Sequence, residues 1–240
     1  MKPVTTKRRS HQPSRAKRAT VKSRPACAGD GPRWIRRKEA RPAEIIAAAL
    51  QGFGEQGYAA TRIDDIATRA GVTKGTVYLY FKSKEELFAA VIRDTLASTV
   101  VSGEELVQRF SGSTRDLMRE MAQLVWHRIG ETDAASILKL LLAEAHQFPE
   151  LAKLYYHAVL EPSRALNRRI IERGIKRGEL RNVDPDDYAP LLIAPAVYLL
   201  LWRHSFEVAM PGTCPAPQRL LETYVDMVMR SLQRDDKDAR

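Results

Sequence analysis

Residues 61–84 carry two short helical patterns joined at a single glycine, Gly71, with hydroxyls, lysines and tyrosines gathered on the second. That layout predicts a helix-turn-helix, the arrangement in which a second short helix enters a DNA major groove. Thr61 is placed to cap the first helix by accepting from the N–H of Asp64, and the carboxylates of Asp64 and Asp65 suit its positive first turn. Ile63, Ile66, Ala67 and Ala70 form its apolar stripe. Gly71 falls where the chain must turn sharply, and Val72 closes the corner.

Thr73 is a good N-cap for the second helix, whose Val77, Tyr80 and Phe81 are spaced to point back at the first. Thr73, Lys74, Gly75, Thr76, Tyr78 and Leu79 then remain on its outward, N-terminal part. Helix ends and hydroxyls hold phosphates, while a few side chains reach base edges. Gly75 would let the backbone approach a duplex, and Lys82 and Lys84 would add affinity and register along the strand.

The pattern extends well beyond these two helices. Ile45-Ile46-Ala47-Ala48-Ala49-Leu50 with Phe53, Gly57-Tyr58, Thr61, Asp65-Ile66-Ala67, Ala70-Gly71-Val72, Lys74-Gly75-Thr76-Val77-Tyr78, Tyr80-Phe81 and Lys84-Glu85-Glu86-Leu87 together resemble the DNA-binding domain of the TetR family of bacterial transcriptional regulators. The resemblance implies a homodimer on a palindromic operator, repressing until a small molecule in the C-terminal domain changes the spacing of two reading heads. It places DNA contacts at Thr73, Lys74, Gly75, Thr76, Tyr78 and Tyr80, and a phosphate contact at Lys84. Family members often carry a second hydroxyl after Thr61; here Arg62 stands there, either gripping a phosphate or simply solvated. The full expected DNA surface is Thr61, Arg62, Thr73, Lys74, Gly75, Thr76, Tyr78, Leu79, Tyr80, Lys82 and Lys84.

Charge is unevenly distributed. The formal charge is +10 from 39 basic and 29 acidic residues, yet residues 1–40 hold 13 Lys or Arg against Asp30 and Glu39, leaving the other 200 near neutrality. Residues 1–38 are too poor in apolar side chains to bury a core and are expected to form a disordered basic arm. Such an arm could track phosphates or enter the minor groove, as homeodomain arms do. A passive solubilising tail, residues translated from an upstream start codon, and a transit peptide remain as alternatives.

The longest apolar run, residues 191–202, is too short to span a bilayer of about 30 Å, and no secretory signal is evident. Cys27 and Cys214 stand alone without a CxxC, which argues against a disulfide framework or a zinc site and fits a cytoplasmic protein. No cofactor is expected. There is no HExxH, nucleotide loop or nucleophile elbow, so an enzyme is disfavoured. The remaining rival is an architectural DNA binder that uses its arm and ignores small molecules.

Beyond residue 84 the periodicity predicts helices throughout: one from 83 to about 101, others over 114–129, 137–142, after Pro149 and over 163–176. A further helix should run from the Asp184-Pro185 step through Leu199 to Phe206, and a last one carries Leu220 to Leu232 after a loop. The fold class is therefore all-α, with a helix-turn-helix domain at 39–84, an effector and dimerisation domain at 85–235 and a tail at 236–240. The last two helices are apolar nearly all round, and in the family they pair across a two-fold axis. That puts Leu192, Val197, Leu200, Leu221, Tyr224, Val225 and Val228 at an expected dimer seam. Trp126, His127, Leu141, His146, Phe148, Tyr155, Tyr156, Trp202 and Phe206 fall in segments that line the family's ligand pocket, implying an apolar or aromatic effector.

Overall fold

A computed structural model of the chain describes residues 33–214 and 216–233. Residues 1–38 and 39–240 form separate units. Most of the expected arm, Cys27 with it, and the tail at 236–240 lie outside the described residues. The first helix, α1 (Arg33–Ala60), begins inside the segment expected to be disordered, in a run of Arg, Lys, Glu and Ala that favours helix. All regular structure among the described residues is helical.

The head is built by α1, α2 (Ile63–Arg69) and α3 (Lys74–Tyr80). Ile45, Ala48, Ala49 and Phe53 of α1 meet Ile63, Ile66, Ala67, Val77 and Phe81 in one buried cluster. Between α2 and α3 Gly71 takes φ 64°, a left-handed conformation that costs glycine little. Thr73 caps α3 by accepting from the N–H of Thr76 at 3.2 Å. Arg69 holds Glu55 through two bonds of 2.8 and 2.6 Å, tying α2 to α1 across the surface.

Thr61 does not cap α2. Its hydroxyl points inward, donating to the carbonyls of Gly52 at 3.0 Å and Gly57 at 2.6 Å, and its side chain is buried. The kink at Gly57 (φ 83°) strips α1 of its last regular hydrogen bonds, and Thr61 satisfies one of the freed carbonyls. The residue at the α2 cap position is Arg62, which makes no side-chain cap bond.

The helix expected over 83–101 is longer and irregular. Ser83 caps α4 (Lys84–Ile92), a π-helical turn follows at Arg93–Ala97, and α5 (Ser98–Arg109) completes it. Two more π turns occur, at Trp126–Gly130 after α6 (Thr114–Val125) and at Tyr156–Leu160 between α8 (Pro149–Tyr155) and α9 (Glu161–Lys176). Between them lies α7 (Ala134–Glu144). The helix expected from Asp184 to Phe206 is broken: α10 (Pro185–Tyr188) stops, turns follow, and α11 (Ala194–Ala209) starts afresh. Pro190 explains the break, since it lacks an N–H and disfavours helix in the residue before it, while Pro195 sits in the first turn of α11, where a missing N–H costs nothing. The chain closes with α12 (Pro217–Leu232).

Candidate nucleic-acid interface and ligand cavity

The outward side of α3 is formed by residues that lie wholly or partly outside the buried core. Thr73, Lys74, Gly75, Tyr78 and Leu79 are exposed, and Thr76 and Tyr80 half-buried. Leu79 is 82 % exposed, an apolar side chain with no intramolecular reason to stand there. A Cβ built on Gly75 would find nothing nearer than Thr73 Oγ1 at 3.8 Å. Since Gly75 lies inside a helix and has no left-handed backbone, neither space nor conformation within the protein calls for glycine.

Lys74 rests against Asp64 at 2.9 Å, and Arg62 stands 3.9 Å from the same carboxylate, so both are positioned but remain largely exposed. Exposed pairs of this kind are worth about 1 kcal/mol or less, and a phosphate could displace them. Lys82 is exposed, and its backbone N–H donates to Glu86 at 2.7 Å. Lys84 is more tightly held. Its ammonium donates to the carbonyls of Ala59 at 3.1 Å and Thr61 at 3.0 Å and lies 4.5 Å over the Tyr58 ring, and burial lowers its pKa. Lys84 therefore caps the end of α1, a role that the spacing of residues in sequence did not suggest.

A second set of contacts ties the head to the larger domain. Tyr58 donates its hydroxyl to Glu85 at 3.0 Å and its backbone N–H to Glu144, the last residue of α7, at 3.2 Å. Its ring meets Phe88 at 5.1 Å and Phe148 at 5.0 Å, both edge-on. Gly57 makes room for this joint, because a Cβ there would lie 2.7 Å from the Glu144 carboxylate.

Beyond this joint the larger domain encloses a cavity of about 230 Å³. Its wall is drawn from Leu96, Ile129, Val159 and Leu160 of the three π turns, together with residues of α5, α6, α7, α9, α11 and α12. A π turn inserts a residue into the helix and shifts its register, and such turns recur at functional sites. Among the described residues no charged side chain lines the cavity. Its polar members are Thr99, Tyr155, Ser163, Asn167 and Tyr224. A second, shallower groove of about 440 Å³ adjoins it, sharing Leu142, Tyr155 and Leu160.

Residues 45–91 match the family described as bacterial regulatory proteins, tetR family, and residues 111–228 match the tetracyclin repressor-like C-terminal domain. The HTH-type transcriptional regulator YdeS of Bacillus subtilis (strain 168) is 31 % identical over 166 residues, which is 69 % of this chain and 80 % of YdeS. The chain belongs to the TetR family. Among solved structures, FadR from Bacillus subtilis in complex with stearoyl-CoA matches with a TM-score of 0.63 at 19 % identity, over 80 % of this chain and 99 % of that one. A transcriptional regulator from Saccharomonospora viridis in complex with choline matches with a TM-score of 0.67 at 21 % identity, over 82 % and 100 %. As a TetR-family member the chain is a helix-turn-helix, DNA-binding transcription regulator. Among the described residues no helix is long and apolar enough to cross a membrane.

Within this TetR-family fold the expected ligand residues do not converge. Of the nine, only Tyr155 lines the cavity; Leu141, Tyr155 and Tyr156 line the adjoining groove. Trp126 is buried but turned away, its indole N–H donating to Glu131 at 2.9 Å and its ring lying under Arg203. His127 is exposed and bonded to the same Glu131 at 2.7 Å, and His146 is exposed. Phe148 belongs to the Tyr58 joint. Trp202 and Phe206 meet along α11 at 5.1 Å with their rings tilted by 48°, and Tyr198 lies 5.8 Å from Trp202.

Within a single copy, most of the expected seam residues face inward. Leu192, Val197, Leu200, Leu221 and Tyr224 line the cavity, and Val225 and Val228 are buried in the core between α6, α9 and α12. Both helices are apolar nearly all round, so the pattern could not tell the face turned to the cavity from the face turned out. Outward stand Leu191, Tyr198, Phe206 and Met227, each about half exposed or more. Sequence reading missed Asn167, although one polar residue inside the buried stripe of Leu166, Ile170 and Ile171 was a visible signal.

Proposed function

We propose that the chain is a repressor that binds a palindromic operator as a homodimer and releases it when an uncharged, mostly apolar effector occupies the cavity. The outward face of α3 carries this reading. Leu79 at 82 % exposure and the open backbone at Gly75 are costs to an isolated helix that a major groove would offset, the leucine against a thymine methyl and the glycine by close approach. Thr73, Lys74, Thr76, Tyr78 and Lys82, with Arg62 beside them, supply phosphate and base contacts. Tyr80 and Lys84 lie at the edge of this surface, and Thr61 acts through the backbone it holds.

The effector's character follows from the lining. A quaternary ammonium such as choline wants an aromatic cage or a carboxylate, and a free anion wants a cation; the described lining has neither charge. An uncharged aliphatic or aromatic skeleton is the better match to these walls, and of choline and stearoyl-CoA only the acyl chain of the stearoyl-CoA bound to FadR is apolar in this way. A seam between copies is supported by the exposed Tyr198 and Phe206, on either side of Trp202 along α11, and by the exposed Met227 of α12, apolar side chains that a single copy leaves in water.

A footprint on the DNA flanking the gene, at near-physiological salt with random competitor, tests the reading. A discrete two-fold protected site is expected. Diffuse protection, insensitive to sequence, would instead support an architectural binder.

A further inference from the structure

Among the described residues, three of the six polar side-chain atoms of the cavity wall have partners. Thr99 donates its hydroxyl to the carbonyl of Thr95 at 3.0 Å, and Tyr224 donates to that of Leu191 at 3.1 Å. Asn167 is different. It is 7 % exposed, stands among Leu166, Ile170 and Ile171 on α9, and lines the cavity. Its Nδ2 donates to the carbonyl of Ala189 at 3.2 Å. Because a carbonyl can only accept, this bond decides which end of the amide is nitrogen, and Oδ1 must occupy the other end. No described residue donates to that oxygen.

Two further polar residues share the cavity wall. Ser163, one turn earlier on the same face of α9, lines it, and so does Tyr155, whose hydroxyl has no partner among the described residues. Burial pushes the Tyr155 phenol up to about 12, so it is a neutral hydroxyl at physiological pH. An acceptor with no protein donor pairs with water, and a ligand that displaces the water without donating in its place binds about tenfold to a hundredfold more weakly than one that pairs it.

We propose that Asn167 is the specificity residue of the cavity and that its Oδ1 accepts from a hydroxyl on the effector, which is therefore a neutral apolar molecule bearing a hydroxyl group. This rests on the reading of the cavity as the effector site. At about 230 Å³ the cavity exceeds the roughly 150 Å³ that suffices for benzene, so a single ring with a short substituent is an adequate probe.

Three probes separate the contributions: benzyl alcohol, its isomer anisole, which has the oxygen but no donor, and toluene. Binding to the full chain is read from the methyl NMR signals of Met118 and Met121, both in the cavity wall. Anisole leaves water more readily than the alcohol and by transfer alone would bind tighter. The expected result is the reverse order in the wild-type chain, with Asn167→Leu shifting the alcohol-to-anisole ratio at least tenfold toward anisole. Tighter anisole binding to the wild type, or an unchanged ratio in a folded Asn167→Leu, overturns the assignment. If the variant does not fold, the wild-type order decides alone. Toluene shifting the methyls without any preference for the alcohol sinks Asn167 and leaves the cavity standing, whereas silence from all three probes removes both.

Discussion

The DNA-reading head and the larger domain are built from the same kind of helix and put their function in opposite places. In the head, Ile63, Ile66, Ala67, Val77 and Phe81 close α2 and α3 on α1, and what is left over faces outward as the reading surface. In the larger domain the apolar side chains are more numerous, yet a cavity remains, and residues of three π turns stand in its wall. The proposed surface function is thus written in the residues a short helix does not bury. The proposed interior function depends on how several helices meet around a cavity.

The most demanding test of this contrast puts one charge on each side of α11. Leu200 is 4 % exposed and lines the cavity, so Leu200→Asp should unfold the chain, with a loss of about 4 kcal/mol or more seen in chemical denaturation. Phe206 is 51 % exposed, and Phe206→Glu should leave the melting temperature of the subunit nearly unchanged while sedimentation shows monomers. If Leu200→Asp instead gives a folded monomer, the seam lies on the inward face and the cavity is misassigned.

The next test sits wholly in the head. Gly75 has open space around it, so Gly75→Leu should hold or raise stability, by up to about 1 kcal/mol from helix propensity. Operator binding should nevertheless fall on the order of a hundredfold, because the side chain would stand where the duplex approaches. Fluorescence anisotropy and a thermal melt on one preparation measure both. Parallel loss of stability and binding would make Gly75 a structural glycine.

The two regions were also unequally legible in sequence. The head's caps, turn glycine and stripe are local, each fixed by residues within a few positions, and Thr73, Gly71 and Val77 do what their spacing predicts. Thr61 misled because its inward bonds to Gly52 and Gly57 exist only once α1 kinks. The cavity was opaque for the same reason on a larger scale: π turns and the break at Pro190 alter register, so whether Trp126 or Leu200 faces the hole is decided by packing among distant helices. Aromatic residues were expected to mark the site, and most of them serve joints and surfaces.

The joint between the regions offers a smaller effect. Glu144 accepts from the Tyr58 N–H through one oxygen, while its other oxygen is buried with no partner among the described residues. Glu144→Ala removes a charge-assisted bond worth roughly 2 kcal/mol and also an unsatisfied atom, so a net loss of about 1 kcal/mol is expected. Hydrogen exchange at Tyr58 should accelerate, and if α7 steadies the head, exchange across α2 and α3 should follow it. Acceleration confined to Tyr58 would show the two regions to be mechanically separate.

The smallest effect lies away from both sites and has a definite pH signature. Glu179 accepts from the N–H of Thr114 at 2.5 Å, at the start of α6, and from Arg177 at 2.6 Å. Burial pushes the carboxyl up, but the bonds from Thr114 and Arg177 outweigh it and hold the pKa down at about 2. A carboxylate depressed in the folded state stabilises above its ordinary value near 4.5, and that contribution fades as pH falls toward about 2. Glu179→Gln should therefore melt about 2–4 °C lower than the parent at pH 7, the shift expected for about 1 kcal/mol in a chain of this size. The gap should narrow from about pH 4.5 downward. A gap that stays constant to about pH 3 would mean that the shape of the side chain, rather than its charge at the positive end of α6, holds Thr114, and the head and cavity would be unaffected either way.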